Sequence, residues 1–375
     1  MQDEKPPYSI PSMGDIAAVP WNGFYVASTF SGCGGSCLGY RMAGYRVVWA
    51  NEFVRAAQAT YRANHPNSFL DPRDIRLIHP AEILAQIGLQ AGDLDVLDGS
   101  PPCDSFSTVG KREKTWGKAK SYHGHIQRTD DLFFEYIRLL QGLQPKVFIA
   151  ENVSGLIKGT AKGYFKLILA ALKACGYRVE ARLLDAQWLG VPQVRQRIIF
   201  QGVRMDLART PAWPRPLPYR YSLREALPWM VQMASNRSFQ QTWHNAQMRP
   251  SVTITAQRHA RFHSIEAETD ISSYALGLEW EKLQVGEQSA TYYKFRKPHL
   301  DNPFPMVTTR AASVVHPFEK RQFSIAELKR ICAFPEDFVL TGTYAEQWER
   351  LGLSVPPLMM AAIATAIRNG VLCSY

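Results

Sequence analysis

Three polar clusters in this chain have residue types that could share one chemical step. LDGSPPCDSFS (97–107) sets a thiol, Cys103, behind two prolines. Two prolines fix two φ angles and remove two backbone donors. The residues before them are pushed toward extended geometry, so Cys103 is presented in one orientation. KVFIAENV (146–153) closes an apolar run on Glu151. QVRQR (193–197) carries Gln193, Arg195 and Arg197 at alternating positions, which share one face if the stretch is a strand. A thiolate and a nearby carboxylic acid suit covalent addition to an electron-poor ring: the thiolate attacks while the acid hydrogen-bonds or protonates a ring nitrogen. Cytosine is such a ring, because addition at C6 makes C5 nucleophilic. Two guanidiniums suit a carboxylate, a carbonyl oxygen or a phosphate. Each cluster also has a plainer explanation: a buried thiol in a turn, a polar strand end capping the next helix, a solvated edge strand.

A fourth cluster is built for binding. FSGCGGSCLG (30–39) places Phe30, Ser31, Gly32, Cys33 and Gly35 behind the apolar run GFYVASTF. Glycines there let a ligand approach the backbone closely. Glu52 ends the next apolar run, YRVVWANE, where it can accept hydrogen bonds from ribose hydroxyls. The combination serves NAD and S-adenosylmethionine equally well, and the loop is not a clean dinucleotide fingerprint.

The elements that must hold these residues alternate in type over the first 200 positions. Strand-like runs at 23–30, 45–52, 93–99 and 146–153 are separated by helix-like VRAAQATYRAN, DLFFEYIRLLQGL and YFKLILAALKACG. Such alternation predicts a mostly parallel sheet covered on both faces. In open parallel sheets ligands bind outside the carboxyl ends of the strands, and Phe30–Gly35, Asn51–Glu52, Pro101–Cys103 and Glu151–Asn152 fall at such ends. After about residue 204 the texture becomes rich in Arg, Trp, Pro and Gln. Helical patterns return from about 318. The expected organisation is a flexible arm (1–22), a catalytic and cofactor-binding domain (23–204), a smaller β- or loop-rich domain (205–300) and a C-terminal segment (301–375) that returns to the first.

The formal charge of +10 over 375 residues favours a polyanionic partner. Six cysteines spread thinly are not a secreted disulfide framework. Cys33 and Cys37 have no second close pair to complete a metal site, so no metal is expected. No signal-peptide pattern or membrane-length apolar run is present; a reducing cytoplasm fits.

Taken in order, these stretches resemble the cytosine-C5 DNA methyltransferases over nearly the whole chain. FSGCGG looks like the family's S-adenosylmethionine loop, with Phe30 bordering the adenosyl group. The resemblance makes Glu52 the ribose-binding acid, Asp74 and Ile75 the pair at the adenine, and Pro102, Leu132 and Ser354 further cofactor-site positions. It makes Cys103 the nucleophile and Glu151 the acid on N3 and the exocyclic amine of a flipped base. Arg195 and Arg197 then hold the acid and the base's carbonyl oxygen. RQFSIAELKRICAFPEDF (321–338) and LGLSVPPLMMAA (351–362) resemble the two C-terminal motifs, and 205–300 sits where the family keeps its target-recognition domain. The implied fold is an α/β doubly wound sheet with a smaller recognition domain, and the implied substrate is double-stranded DNA. A monomer is expected, with a cognate restriction endonuclease as the further partner such enzymes suggest. Expected DNA contacts are Ser107, Lys111, Arg112, Gln193, Arg237, Arg258 and Arg261; the arginines after 236 suit base edges or phosphates. Three positions depart from the pattern. Asp104 stands where Gln is usual, Ser28 near a usual acid, and Leu353 where an amide would reach the cofactor region.

Three alternatives remain at this level: the related tRNA-methylating branch, an NAD-dependent oxidoreductase, and a DNA-binding regulator with an inactive methyltransferase body. The segment TVGKREKTWGKAKSYHGHIQR (108–128) is basic and glycine-punctuated, suited to closing on a phosphate backbone. Replacing Lys111, Arg112 and Lys114 with Ala should flatten the dependence of DNA affinity on salt by about one unit of slope per lost phosphate contact. Titrations of duplex DNA at several salt concentrations check this, and an unchanged slope refutes the contact.

Overall fold

The structure is a computed structural model and describes residues 5–102, 120–122, 125–127, 132–158, 161–230, 275–292, 295–309 and 314–373. The chain forms two compact units. One comprises Gly14–Asp185, Gln196–Pro216 and Pro357–Tyr375; the other comprises Met1–Met13, Ala186–Arg195 and Leu217–Pro356.

The first unit is built on a seven-stranded sheet. In chain order its strands are β1 (Tyr25–Thr29), β2 (Arg46–Asn51), β3 (Phe69–Asp71), β4 (Val96–Gly99), β7 (Val147–Val153), β8 (Tyr177–Asp185) and β9 (Gln196–Arg204). Spatially they run β3-β2-β1-β4-β7-β9-β8, and β5 (Lys120–Tyr122) and β6 (His125–Gln127) form a separate antiparallel ribbon. The five strands from β3 to β7 are parallel, while β9 runs antiparallel to both β7 and β8. The doubly wound sheet expected from the alternating pattern is therefore present, with an antiparallel strand set into one side. Strand order reverses between β1 and β4, which opens a crevice at their carboxyl ends.

The central strands read as continuous apolar runs because both faces are covered. Every residue of β4 is buried, and so are the first six of β7. On one face lies helix α5 (Leu132–Leu143), whose buried Leu132, Phe133, Tyr136, Ile137, Leu140 and Leu143 recur at helical spacing. The Tyr136 hydroxyl lies 3.1 Å from the Leu97 carbonyl and 3.0 Å from that of Ile149. Gly99 makes room for it, since a Cβ there would lie 2.6 Å from the Tyr136 ring.

Helix α2 (Gly35–Met42) covers the opposite face and packs on the last α-helix, Pro357–Ile367, where the chain re-enters this unit. Contrary to the expectation of no membrane-length apolar run, the stretch Tyr344–Leu372 has the length and apolarity of a membrane span. A break after Leu353 divides it, and Met359, Met360, Ile363, Ala364 and Ile367 are buried inside the protein. It is core.

The other unit holds three short helices with the same start. Ser222, Ser324 and Thr343 each cap a helix whose third residue, Glu225, Glu327 or Glu346, reaches back to the capping backbone. Glu327 is fully buried and accepts from Arg321 at 2.9 and 3.0 Å. From Lys5 onward the N-terminal segment packs here, with Tyr8 buried and its hydroxyl donating to the Arg330 carbonyl. Phe304 makes an isolated parallel bridge with Gln193.

Gly39 sits where α2 meets the last helix. A Cβ there would lie 2.5 Å from the Pro357 carbonyl oxygen and 2.6 Å from Met360 Cβ. Gly39→Ala gains about 1 kcal/mol of helix propensity but overpacks the contact at a cost of about 1–3 kcal/mol. Thermal unfolding should therefore show a net loss; Gly39→Val should lose more.

Candidate active site

Four strand ends meet at the crevice, and each presents polar groups. Beyond β1 the chain turns with Phe30 at φ 53°, Gly32 at 57° and Gly34 at 88°. For a phenylalanine this left-handed conformation costs on the order of 1–2 kcal/mol; it persists because the turn is held on both sides. The Ser31 N–H donates to the Asn51 carbonyl at 3.0 Å, and the Ser31 hydroxyl to the Ser28 carbonyl at 3.0 Å. From the β2 end, Glu52 accepts from the Gly32 N–H at 2.8 Å and the Val54 N–H at 2.6 Å. A Cβ on Gly32 would meet no atom within 4 Å among the described residues, so the loop faces open space there. Gly34 faces the other way, and a Cβ on it would lie 2.2 Å from His65 Nε2. His65 is stacked on Tyr61 and fully buried against this turn. Burial, helped by Arg41, pushes its pKa down to about 3, so it is a neutral prop under the loop.

Beyond β3, Asp74 caps a short turn through the Arg76 N–H and pairs with the Arg76 guanidinium at 3.0 Å. Ile75 and Leu132 are buried, and Arg138 donates to the Ile75 carbonyl at 2.9 Å. The glycine turn, Glu52 and the Asp74–Ile75 turn have the donors, acceptors and open cradle that an adenosyl ligand needs.

Glu151 lies at the end of β7. Its Oε1 is 2.6 Å from Arg197 Nε, and both side chains are about nine-tenths buried. The pairing follows from register: β7 and β9 are antiparallel with Val153 opposite Arg197, so Arg197 is the diagonal neighbour of Glu151 on the same face. Burial pulls the Arg197 guanidinium below its usual pKa, and the Glu151 charge pushes back. Asn152 turns the other way and donates to the Pro101 carbonyl at 3.2 Å. The end of β7 thus also clamps the turn leading to Cys103. Cys103 itself lies outside the described residues, as do Ser107, Lys111, Arg112, Arg237, Arg258 and Arg261; Pro101 and Pro102 are the last residues described before it.

Two buried thiols, Cys37 and Cys175, are poor nucleophiles. Burial, with Asp98 nearby, raises Cys37 to about 12, and burial also raises Cys175. Cys33 is buried too. Among the described residues no His, Cys, Asp or Glu group could hold a metal ion.

The two arginines of QVRQR separate. Strand β9 begins at Gln196, so the expected alternation does not run back through Arg195. Arg195 is buried in the other unit and donates to the carbonyls of Val307 at 3.1 Å and Gly352 at 2.7 Å. Gln193, in the same unit, donates to Cys332 Sγ at 3.2 Å. Ser354 donates to the Arg350 carbonyl at 2.5 Å, and Leu353 beside it is exposed.

One buried acid escaped the sequence reading. Asp98, in β4, accepts from the hydroxyls of Ser28 at 3.0 Å and Ser36 at 2.8 Å. Its only sequence signal is a charge inside an otherwise apolar buried strand.

A family model for C-5 cytosine-specific DNA methylase matches residues 24–369. The chain belongs to that family. It is a DNA cytosine-C5 methyltransferase, takes its methyl group from S-adenosylmethionine, and acts on double-stranded DNA. Among curated relatives, the type II methyltransferase M1.HphI of Haemophilus parahaemolyticus is 28% identical over 90% of this chain and 85% of its own length. M.DdeI of Desulfomicrobium norvegicum is 28% identical over 91% and 88%. M.NgoPII of Neisseria gonorrhoeae is 35% identical, but the chain spans only about half of its length, 54%, and the match 54% of this chain. In fold, the chain is similar to an E. coli prophage-encoded DNA modification methyltransferase (TM-score 0.70, 21% identity, 94% of this chain and 100% of that one). It is also similar to a Spodoptera frugiperda DNMT2 variant (TM-score 0.60, 17% identity, 90% and 98%). The oxidoreductase alternative falls with this membership.

In this methyltransferase the buried Glu151–Arg197 pair should behave unequally under deletion. Arg197→Met leaves a buried carboxylate without its cation and should cost about 3–5 kcal/mol. Adding Glu151→Leu to the same protein should recover much of that loss. Denaturant unfolding of the two single variants and the double variant checks it; strict additivity would mean the pair is not coupled.

Proposed function

We propose that this methyltransferase modifies C5 of a flipped cytosine within a specific duplex site, with Cys103 as nucleophile and Glu151 as acid. The supporting observation is the end of β7. Glu151 is held by Arg197, while its neighbour Asn152 ties down Pro101, two residues before the thiol. Consecutive residues of one strand thus bear on the acid and on the segment that leads to the thiol, which supports this reading.

The cytosine leaves the stack to reach them. Thiolate addition at C6 forms the C–S bond, with Glu151 hydrogen-bonding N3 and the exocyclic amine as the ring accepts charge. Arg197 keeps Glu151 in place. S-adenosylmethionine supplies the methyl group to C5. Loss of the C5 proton then expels the thiolate and restores the ring. Phe30, Ser31, Gly32, Cys33, Gly35 and Glu52 form the donor's cradle, with Asp74, Ile75, Pro102, Leu132 and Ser354 as further contacts. Arg195, engaged with two backbone carbonyls, is assigned a positioning role instead of a contact to the base.

Residues 205–300 carry target recognition in this proposal, Arg237, Arg258 and Arg261 among them, with Ser107, Lys111, Arg112 and Gln193 as further DNA contacts. The enzyme works as a cytoplasmic monomer on nucleoid DNA beside a cognate restriction endonuclease, as the type II relatives' class suggests.

A cytosine carrying fluorine at C5 cannot lose that substituent as a proton, so the adduct should persist. Duplex DNA containing it should stay attached to the protein in a denaturing gel when the methyl donor is present. Cys103→Ser should abolish both trapping and methylation, because a serine hydroxyl is scarcely ionised near neutral pH. Glu151→Gln should cut turnover by about 100-fold or more while duplex binding persists. Peptide mapping of the adduct to Cys33, Cys37 or Cys175 would overturn the assignment.

A further inference from the structure

The strand pairing puts three side chains on one face of the sheet. Ser28 of β1 lies directly beside Asp98 of β4, and Asp98 beside Ile149 of β7, two residues before Glu151. On that face the Asp98 carboxylate is almost fully buried. It gathers the Ser28 hydroxyl from β1, the Ser36 hydroxyl from the first turn of α2, and the Tyr40 hydroxyl one turn on, at 3.4 Å. Ser31 adds a link, its hydroxyl lying 3.1 Å from that of Ser28. The turn between Thr29 and Gly35 therefore starts and ends on groups bound to one carboxylate. Hydroxyls from both flanks of a turn converge on one buried acid. They fix the spacing of the two ends.

We propose that Asp98 is a positioning residue for the methyl donor: its ionised carboxylate latches β1 to α2 and so holds the intervening turn in the donor-binding form. The proposal rests on the assignment of that turn to the donor. It touches neither the donor nor the target base and acts through the backbone of residues 30–34.

The latch is sensitive to protons. An ionised carboxylate accepts from all three hydroxyls, whereas the protonated acid becomes a donor itself and loses acceptor capacity. Burial raises the Asp98 pKa to about 7; the hydroxyls of Ser36, Ser28 and Tyr40 hold it down, and the charge of Glu151 on the same face pushes it further up. Tyr40 and Cys37 of α2 and Tyr136 of α5 feel the Asp98 charge in turn, and each is itself raised far from neutral pH by its burial. Asp98 is thus the titrating member of this group near neutrality. If donor binding needs it ionised, apparent donor affinity falls by about tenfold per pH unit below its pKa.

Binding of S-adenosylmethionine to the full chain without DNA, measured by calorimetry from pH 6 to pH 8.5, tests the latch. The wild-type affinity is expected to weaken as pH falls below about 7. Asp98→Asn should bind weakly at pH 8 and show no such step, and this comparison also removes any titration of the ligand. Should Asp98→Asn not fold, Ser36→Ala serves: it removes a bond to the ionised form, so the step should move to higher pH. An unshifted midpoint in Ser36→Ala, or a wild-type step retained in Asp98→Asn, overturns the latch. So does a fall in unfolding temperature with donor affinity unchanged, which is the signature of a merely structural acid. Glu52→Gln is measured in parallel. If it leaves donor affinity intact, the assignment of the turn to the donor fails, and that failure is separate from the latch.

Discussion

A carboxylate taken out of water must be given donors, and Glu52, Asp98 and Glu151 are among the buried acids at the carboxyl edge of this sheet. Glu52 ends β2, Asp98 lies near the end of β4 and Glu151 lies near the end of β7. Each is satisfied by a different class of donor. Glu52 takes two backbone N–H groups, Asp98 takes hydroxyls, and Glu151 takes a guanidinium. The glycine turn, the packing of α2 and the antiparallel seating of β9 are the structural forms of those three solutions. Without the turn Glu52 loses the Gly32 N–H, and without β9 Glu151 loses Arg197.

The donor class also decides what each acid can do. Backbone N–H groups cannot move far, so Glu52 is a fixed acceptor. A guanidinium keeps its charge at any accessible pH, and Arg197 fixes the direction of the Glu151 carboxylate. Hydroxyls are neutral and can rotate, and burial raises the Asp98 pKa among them. Three neighbouring carboxylates thereby acquire distinct roles with no metal invoked among the described residues.

Much of this was legible in the sequence, for physical reasons. Strands buried on both faces are continuous apolar runs, and the polar residue ending each run marks the carboxyl edge; Glu52 and Glu151 stand out that way. Asp98 ends a run just as they do, yet its meaning depends on Ser28 and Ser36, which only the parallel register of β1 and β4 brings alongside. Arg195 and Arg197 look equivalent in QVRQR. They differ because regular pairing starts at Gln196, so one guanidinium follows the pleat to Glu151 and the other goes to backbone carbonyls. His65 carried no signal at all, since a buried histidine propping a glycine turn has no spacing rule to betray it.

The same logic explains why the chain's last helix belongs with its first βα unit. Helix α2 has two sides to satisfy. Toward the sheet it offers Ser36 and Tyr40 to Asp98, a polar attachment. Away from the sheet it needs apolar cover, and Gly39 lets Pro357–Ile367 approach within backbone contact distance. The Tyr45 hydroxyl donates to the Ala364 carbonyl at 2.9 Å, closing that packing with a buried hydrogen bond. Ser28 stands near the family's usual acid in β1, so the polar side of this arrangement depends on a carboxylate reaching over from β4. The glycine turn is therefore framed by residues from three distant parts of the sequence: hydroxyls flanking it, an acid some 60 residues on and a helix at the chain's end. A turn whose own sequence is glycine-rich has little intrinsic stiffness, and rigidity imposed from both faces of α2 supplies what the glycines cannot.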